Sequence, residues 1–289
     1  MQRTVIGGLL LALGFAATAD EARLRVAASI VPVQTFVERV GGERVDVAVM
    51  VGPNANPATY EPRARQMAAI GRSEAFFRIG VPFEQAWLPR LQQAHPGMAI
   101  VDLQAGIDRR DMPGKAGHPH HGATNGARPD PHVWTDPRNV IHMTKRIRDR
   151  LIALDPSGEA AYRANHQAFR DELEALHEEL SERLANLAGE PFLVYHPAWG
   201  YFADAYGLEQ FSVEIEGKEP GPKSLDRIID RAGAADVRVV FVQDQFNRRN
   251  AERVADAIGA RVVTVDPLAA DYVENMRRVG RAMAEAVAP

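Results

Sequence analysis

Short apolar runs and longer amphipathic stretches alternate along most of this chain. Residues 24–30 (LRVAASI) read as a strand running into a loop, and residues 33–40 carry apolar side chains at helical spacing. The alternation continues with a strand at 45–51, a helix at 65–72, a strand at 75–79, a helix at 83–93 and a strand at 99–101. It resumes late in the chain, with strands at 192–195, 237–242 and 261–265 separated by helices near 199–206, 224–234 and 248–258, and a closing helix at 273–287. Strands that alternate with helices predict parallel βαβ units, and so an α/β fold of two lobes, each with a mainly parallel sheet.

Two helical patterns lie between these halves. Residues 139–154 are periodic, and after Asp155-Pro156-Ser157 a second pattern runs from 159 to 187, with apolar positions at Phe169, Leu173, Leu176, Leu180, Leu184 and Leu187. Ser157 is its expected N-cap. At about 1.5 Å per residue this helix spans ~40 Å, the size of a whole lobe, and is suited to brace two lobes as one long rigid connector. The expected organisation is a signal segment at 1–19, an N-terminal lobe at 20–154, a linking helix at 155–188 and a C-terminal lobe at 189–289. Residues 112–131, rich in Gly, Pro and His, read as a mobile surface loop within the first lobe.

The first 19 residues have the layout of a cleaved secretory signal: Arg3, then an apolar run over 5–17 that is too short for a bilayer, then small residues at Ala17-Thr18-Ala19. The chain contains no cysteine, which excludes a disulfide framework and a lipid-bearing thiol. A soluble periplasmic protein is expected, with any metal site built from nitrogen and oxygen donors. A net charge of −4 argues against a nucleic-acid partner, which normally requires a basic face.

Three metal-competent side chains stand in turns just outside apolar strands, where open α/β sheets place their ligands: His132, His196 and Asp266. Asp130 is placed to accept the proton of the second imidazole nitrogen of His132 and fix its tautomer. His142, His166 and His177 fall among charged residues in helices and read as surface positions, as does His95 before Pro96. Glu214, Glu216 and Glu219, with Lys218, read as a solvated loop or a contact with a partner protein. Trp134, Trp199 and Tyr201 wall a cleft or pack a core.

The segments Asn56-Pro57-Ala58-Thr59-Tyr60-Glu61-Pro62, Asp130-Pro131-His132-Val133-Trp134, Tyr195-His196-Pro197-Ala198-Trp199-Gly200-Tyr201-Phe202 and Val265-Asp266-Pro267-Leu268 occur in this order. From about residue 25 to its end, the chain resembles the zinc- and manganese-binding solute-binding proteins of ABC importers. The resemblance implies two α/β lobes joined by a rigid helix, a Zn2+ ion (alternatively Mn2+) held between them by His132, His196 and Asp266, and an ABC importer permease as partner to a monomeric binding protein. A histidine at position 196 favours zinc, because manganese prefers oxygen.

The chain departs from the family motif at one position. The family's first ligand is a histidine where this chain has Ala58. Three readings fill the gap: a loop histidine (His118, His120 or His121) closes the coordination sphere, Glu61 or a water does so, or the site binds weakly or takes a metal already held by a small chelator. Two other functions compete with import. One is a periplasmic metal chaperone or adhesin-like protein on the same fold. The other is a zinc hydrolase using an open coordination position, against which stands the absence of a His-Glu-x-x-His helix.

Overall fold

The computed structural model describes residues 23–112, 128–214, 220–243 and 248–287. The first lobe runs β1 (Leu24–Ile30), α1 (Val31–Gly41), β2 (Val45–Val51), α2 (Ala64–Ile70), β3 (Ala75–Arg78), α3 (Pro82–Ala94) and β4 (Ala99–Asp102). Then come α4 (Pro137–Leu154) and α5 (Glu159–Leu184). The second lobe comprises β5 (Pro191–Val194), α6 (Gly200–Tyr206), β6 (Glu209–Ser212), α7 (Pro222–Ala234), β7 (Val239–Val242), α8 (Arg248–Ile258), β8 (Arg261–Thr264) and α9 (Tyr272–Val287).

Both sheets are parallel throughout and share one topology. The first has the order β2-β1-β3-β4 and the second β6-β5-β7-β8. The central strands read as continuous apolar runs because helices cover both their faces; every residue of β7 is buried. The edge strands β2 and β8 expose Asp46 and Arg261 respectively.

The period-2 alternation of strand side chains sorts the second lobe into two cores. Phe192, Val194, Val239 and Phe241 face inward and join a cluster that also contains β1, β3, α1, α4 and α5. Leu193, Tyr195, Val240 and Val242 face outward and pack under α7 and α8. One hydrophobic core therefore runs from the first sheet, across α5, to the inner face of the second.

The linking helix is close to its expected form. Its 26 residues span about 39 Å, and Tyr162, His166, Phe169, Leu173, Leu176, Leu180 and Leu184 form a buried stripe at spacings of three and four. Its last expected residues, 185–187, tighten into a 3-10 turn. On its exposed face Arg163–Glu159 and Arg170–Glu174 pair one turn apart at 2.7 Å. Helix α9 lies along it, with Gly280 pressed so close to Leu180 that a Cβ there would sit 2.4 Å from Cδ2. Two expectations fail here. Ser157 does not cap α5: Gly158 holds that position, and the Ser157 hydroxyl turns back to Asp155. Nor is His166 a surface residue. It is 6% exposed, because it lies four residues after Tyr162 and three before Phe169 on the buried stripe.

Among the described residues no helix is long and apolar enough to cross a membrane. Residues 1–19, the expected signal segment, lie outside the described residues, as do His118, His120 and His121.

Candidate metal centre

The carboxyl ends of the two sheets face each other across a cleft of about 310 Å³. From the first lobe, Ala58 follows β2, and Gly80 to Pro82 follow β3. From the second, His196 follows β5, Glu214 follows β6, Gln243 follows β7, and Pro267 and Leu268 follow β8. The first lobe supplies its own imidazole, His132, from the connection between β4 and α4. Here the rule that open α/β sheets bind at strand carboxyl ends applies twice.

His132 is fixed from several sides. Asp130, fully buried, accepts both the His132 backbone N–H at 2.9 Å and the ring Nδ1–H at 2.7 Å. Asp130 is in turn tied to Arg110, whose carbonyl accepts the Asp130 N–H at 2.9 Å and whose Nε lies 3.7 Å from Asp130 Oδ2. Tyr201 of the second lobe donates to the Asp130 carbonyl at 3.2 Å. Gly80 adopts φ +85° with the Gln104 side chain against it, and Gln104 Nε2 donates to the Pro131 carbonyl at 3.2 Å, just ahead of His132. A side chain at Gly80 would be strained and would dislodge Gln104. Trp134 closes the floor: its indole N–H donates to Pro267 O at 2.7 Å, and its carbonyl accepts from the Tyr272 hydroxyl at 2.9 Å. Trp199 and Tyr201 pack into the core.

His196 mirrors His132. Its Nδ1 faces Glu214 Oε2 at 3.0 Å. Glu214 is only 8% exposed, and its backbone N–H donates to Tyr195 O at 2.9 Å beside the β5–β6 pairing. The expectation of a solvated Glu214 is therefore corrected: it stands at the end of β6, a strand that the hydrophobic pattern did not reveal. Glu216, Lys218 and Glu219 lie outside the described residues. Gln210 on β6 accepts the Trp199 N–H at 2.8 Å and holds the turn that carries His196.

Each imidazole thus directs Nδ1 at its own carboxylate, and the two Nε2 atoms approach to 3.3 Å. With Nδ1–H donated to a carboxylate, Nε2 carries a lone pair, so two lone pairs face each other across the cleft. That arrangement is repulsive unless a metal ion or a shared proton lies between them. Tetrahedral zinc with Zn–N of about 2.0–2.1 Å separates its ligands by about 3.3–3.4 Å. Burial pushes the His132 pKa below the ordinary imidazole value, more than Asp130 raises it, so His132 is neutral at pH 7. The two supporting carboxylates give the cleft a cation-attracting field.

The remaining expected donors are placed differently. Asp266 follows β8, and its Oδ1 accepts the Leu268 N–H at 2.9 Å; its neighbours Pro267 and Leu268 line the cleft. Glu61 is exposed and does not line the cleft, whereas Ala58 does. Among the described residues no three His, Cys, Asp or Glu side chains converge on one point suited to a metal. His142 and His177 are partly buried rather than surface residues: His142 Nε2 lies 2.8 Å from Ala105 O, and His177 Nδ1 lies 3.2 Å from the Tyr206 hydroxyl. Sequence reasoning missed Gln243, which is 4% exposed; the available signal was a polar residue closing the wholly apolar run Val239–Val242.

The fold and this centre define a two-lobed α/β binding protein with a histidine-lined cleft between lobes braced by one helix. Residues 26–286 match the family described as zinc-uptake complex component A, periplasmic (ZnuA), and the chain belongs to that family. The manganese-binding lipoprotein MntA of Halalkalibacterium halodurans is 27% identical over 247 residues, covering 84% of this chain and 78% of MntA. A crystal structure of ZnuA superposes with a TM-score of 0.85 at 38% identity, covering 92% of this chain and all of that one. The laminin-binding protein Lmb of Streptococcus agalactiae, described as bifunctional with adhesin and metal-transporting activity, gives a TM-score of 0.79 at 25% identity over 92% of this chain.

Proposed function

We propose that this protein captures a divalent transition-metal ion, zinc, in the periplasm and delivers it to the membrane permease of an ABC importer. The observation that carries the reading is the 3.3 Å approach of His132 Nε2 and His196 Nε2, each backed by a buried carboxylate on its far nitrogen. Carboxylate–histidine pairs of this kind orient metal ligands and raise their basicity. Two imidazoles suit zinc better than manganese. Asp266, at the end of β8 beside the cleft wall, is the proposed third donor.

No step of chemistry is required of such a site. Its task is to bind between two lobes and release to a partner, and the donors come from both lobes, so separation of the lobes dismantles the site. Membership of the zinc-uptake family supports import over a stand-alone chaperone. Calorimetric titration with Zn2+ and Mn2+ tests the reading. It predicts one zinc per chain, bound at least about tenfold more tightly than manganese. Equal affinity for the two ions would remove the zinc assignment, and the absence of binding to either would remove metal capture.

A further inference from the structure

The cleft is larger than its proposed cargo. At about 310 Å³ it falls at the lower end of the ~300–1,000 Å³ typical of small-molecule sites, whereas a bare ion needs only its donor shell. Its wall also carries polar groups that no ion requires. Gln243, 4% exposed, lines the cleft with both Nε2 and Oε1 buried and with no hydrogen-bond partner among the described residues. A buried amide left unpaired carries a desolvation cost, so such groups normally have a partner to meet. Arg128 lines the same cleft and makes no ion pair among the described residues. The first lobe adds the amides of Asn56 and Gln85 beside the methyl group of Ala58.

We propose that the cleft takes its metal as a complex with a small α-amino carboxylate chelator. This rests on the metal-capture reading above and specifies the form of the cargo. The amide of Gln243 has a donor and an acceptor side by side, matched to a chelator that offers carboxylate oxygen and amine N–H. Arg128 supplies the positive charge for a carboxylate, in the manner usual for guanidinium recognition. In the chelate the two donors of a bidentate amino-carboxylate join the two imidazoles in place of Asp266, whose Oδ1 stays on the Leu268 N–H, and this completes four-coordination while the methyl of Ala58 leaves room for the chelator's backbone. The same groups give a reason for the cleft's mostly apolar lining elsewhere, since a singly charged chelate is desolvated more easily than a hydrated dication.

The test uses the whole protein with two probes, Zn2+ alone and Zn2+ with L-histidine, followed by native mass spectrometry and calorimetry. The expected result is a 1:1:1 protein–zinc–histidine species. Combining Gln243→Leu with Arg128→Ala should lower the affinity for zinc–histidine, relative to that for zinc alone, at least about tenfold. Ala58→His, which fills the space with a third imidazole, should shift the same ratio towards zinc alone by at least about tenfold and abolish the ternary mass. If L-histidine merely strips zinc from the protein and no ternary mass forms, the chelate proposal is overturned while metal capture stands. If His132→Ala binds both probes as the parent does, metal capture itself fails and the chelate proposal with it.

Discussion

The two lobes share a strand order and differ in what their strand ends carry. In the second lobe the residues after β5, β6 and β7 are His196, Glu214 and Gln243, a donor, its support and an amide. In the first lobe the equivalent wall, Asn56 to Ala58, Gly80 to Pro82 and Gln85, carries two amides but no histidine or carboxylate. That lobe's imidazole, His132, comes instead from an irregular connection anchored by Asp130. The comparison shows that topology chooses where a site can form, while the identity of a few residues at strand ends decides whether it forms there. A donor on a sheet end is held by its ladder. A donor on a connection depends on the side chains that pin it.

The largest effect concerns whether the lobes are separate at all. Phe169 on α5 is 1% exposed and lies tilted against Phe36 at 6.1 Å, and Phe36 meets Tyr272 edge-on at 5.0 Å. Phe169→Ala should cost about 3–5 kcal/mol, and thermal unfolding should remain a single transition. Two resolved transitions would show that the lobes melt as independent units and would break the picture of a shared core.

Next comes the pinned donor. Asp130→Asn should weaken zinc binding by about 100-fold, because Asp130 holds both the ring and the backbone of His132. Titration calorimetry reads this directly, and an unchanged affinity would mean that the connection needs no such anchor.

A third effect is confined to the entry of α5. Asp155 accepts from Arg44 Nε at 2.9 Å and from the Tyr162 hydroxyl at 2.7 Å, and it also receives the Ser157 hydroxyl. Arg44 foremost, then Ser157 and Tyr162, hold its carboxyl well below the usual carboxylate range, and the Tyr162 hydroxyl is itself pushed up to about 12, chiefly by burial. A depressed folded-state pKa stabilises above the unfolded value near 3.8 and is lost as pH falls below it. Asp155→Asn should therefore cost about 2 kcal/mol at pH 7 and progressively less in acid, as measured by denaturant titration at each pH. A cost independent of pH would contradict the ionic reading.

The smallest effect belongs to the laddered donor. Glu214→Gln keeps a hydrogen bond to His196 but removes the charge, and should weaken zinc binding by about tenfold, less than Asp130→Asn. The reverse order of the two would overturn the contrast between the lobes.

Much of the fold was legible because its signals are periodic. The apolar runs of β1 and β7 and the stripe along α5 declared themselves, and the topology follows from their alternation. Strand β6 did not, because Glu209, Gln210 and Ser212 leave Phe211 as its one apolar residue; its pairing with β5 is a property of the sheet, not of the segment. Glu214 was misread for the same reason. His166 was legible in hindsight, since its spacing from Tyr162 and Phe169 places it on the buried stripe, but its charged neighbours outweighed that signal. His196 was found at a strand-end turn and by resemblance; His132 was found by resemblance, its expected strand-end turn being an irregular connection between β4 and α4, and the Asp130 support was anticipated from its spacing. The mutual approach of the two imidazoles, and the unpaired amide of Gln243, depend on how two lobes meet, which no local pattern records.

The central claim is that one metal ion joins the two imidazoles across the cleft. Crystals of the zinc-loaded protein, measured on both sides of the zinc absorption edge, test it most directly. The account predicts a single anomalous peak within about 2.0–2.1 Å of both His132 Nε2 and His196 Nε2. A peak that touches only one of them, or lies elsewhere on the molecule, would contradict it.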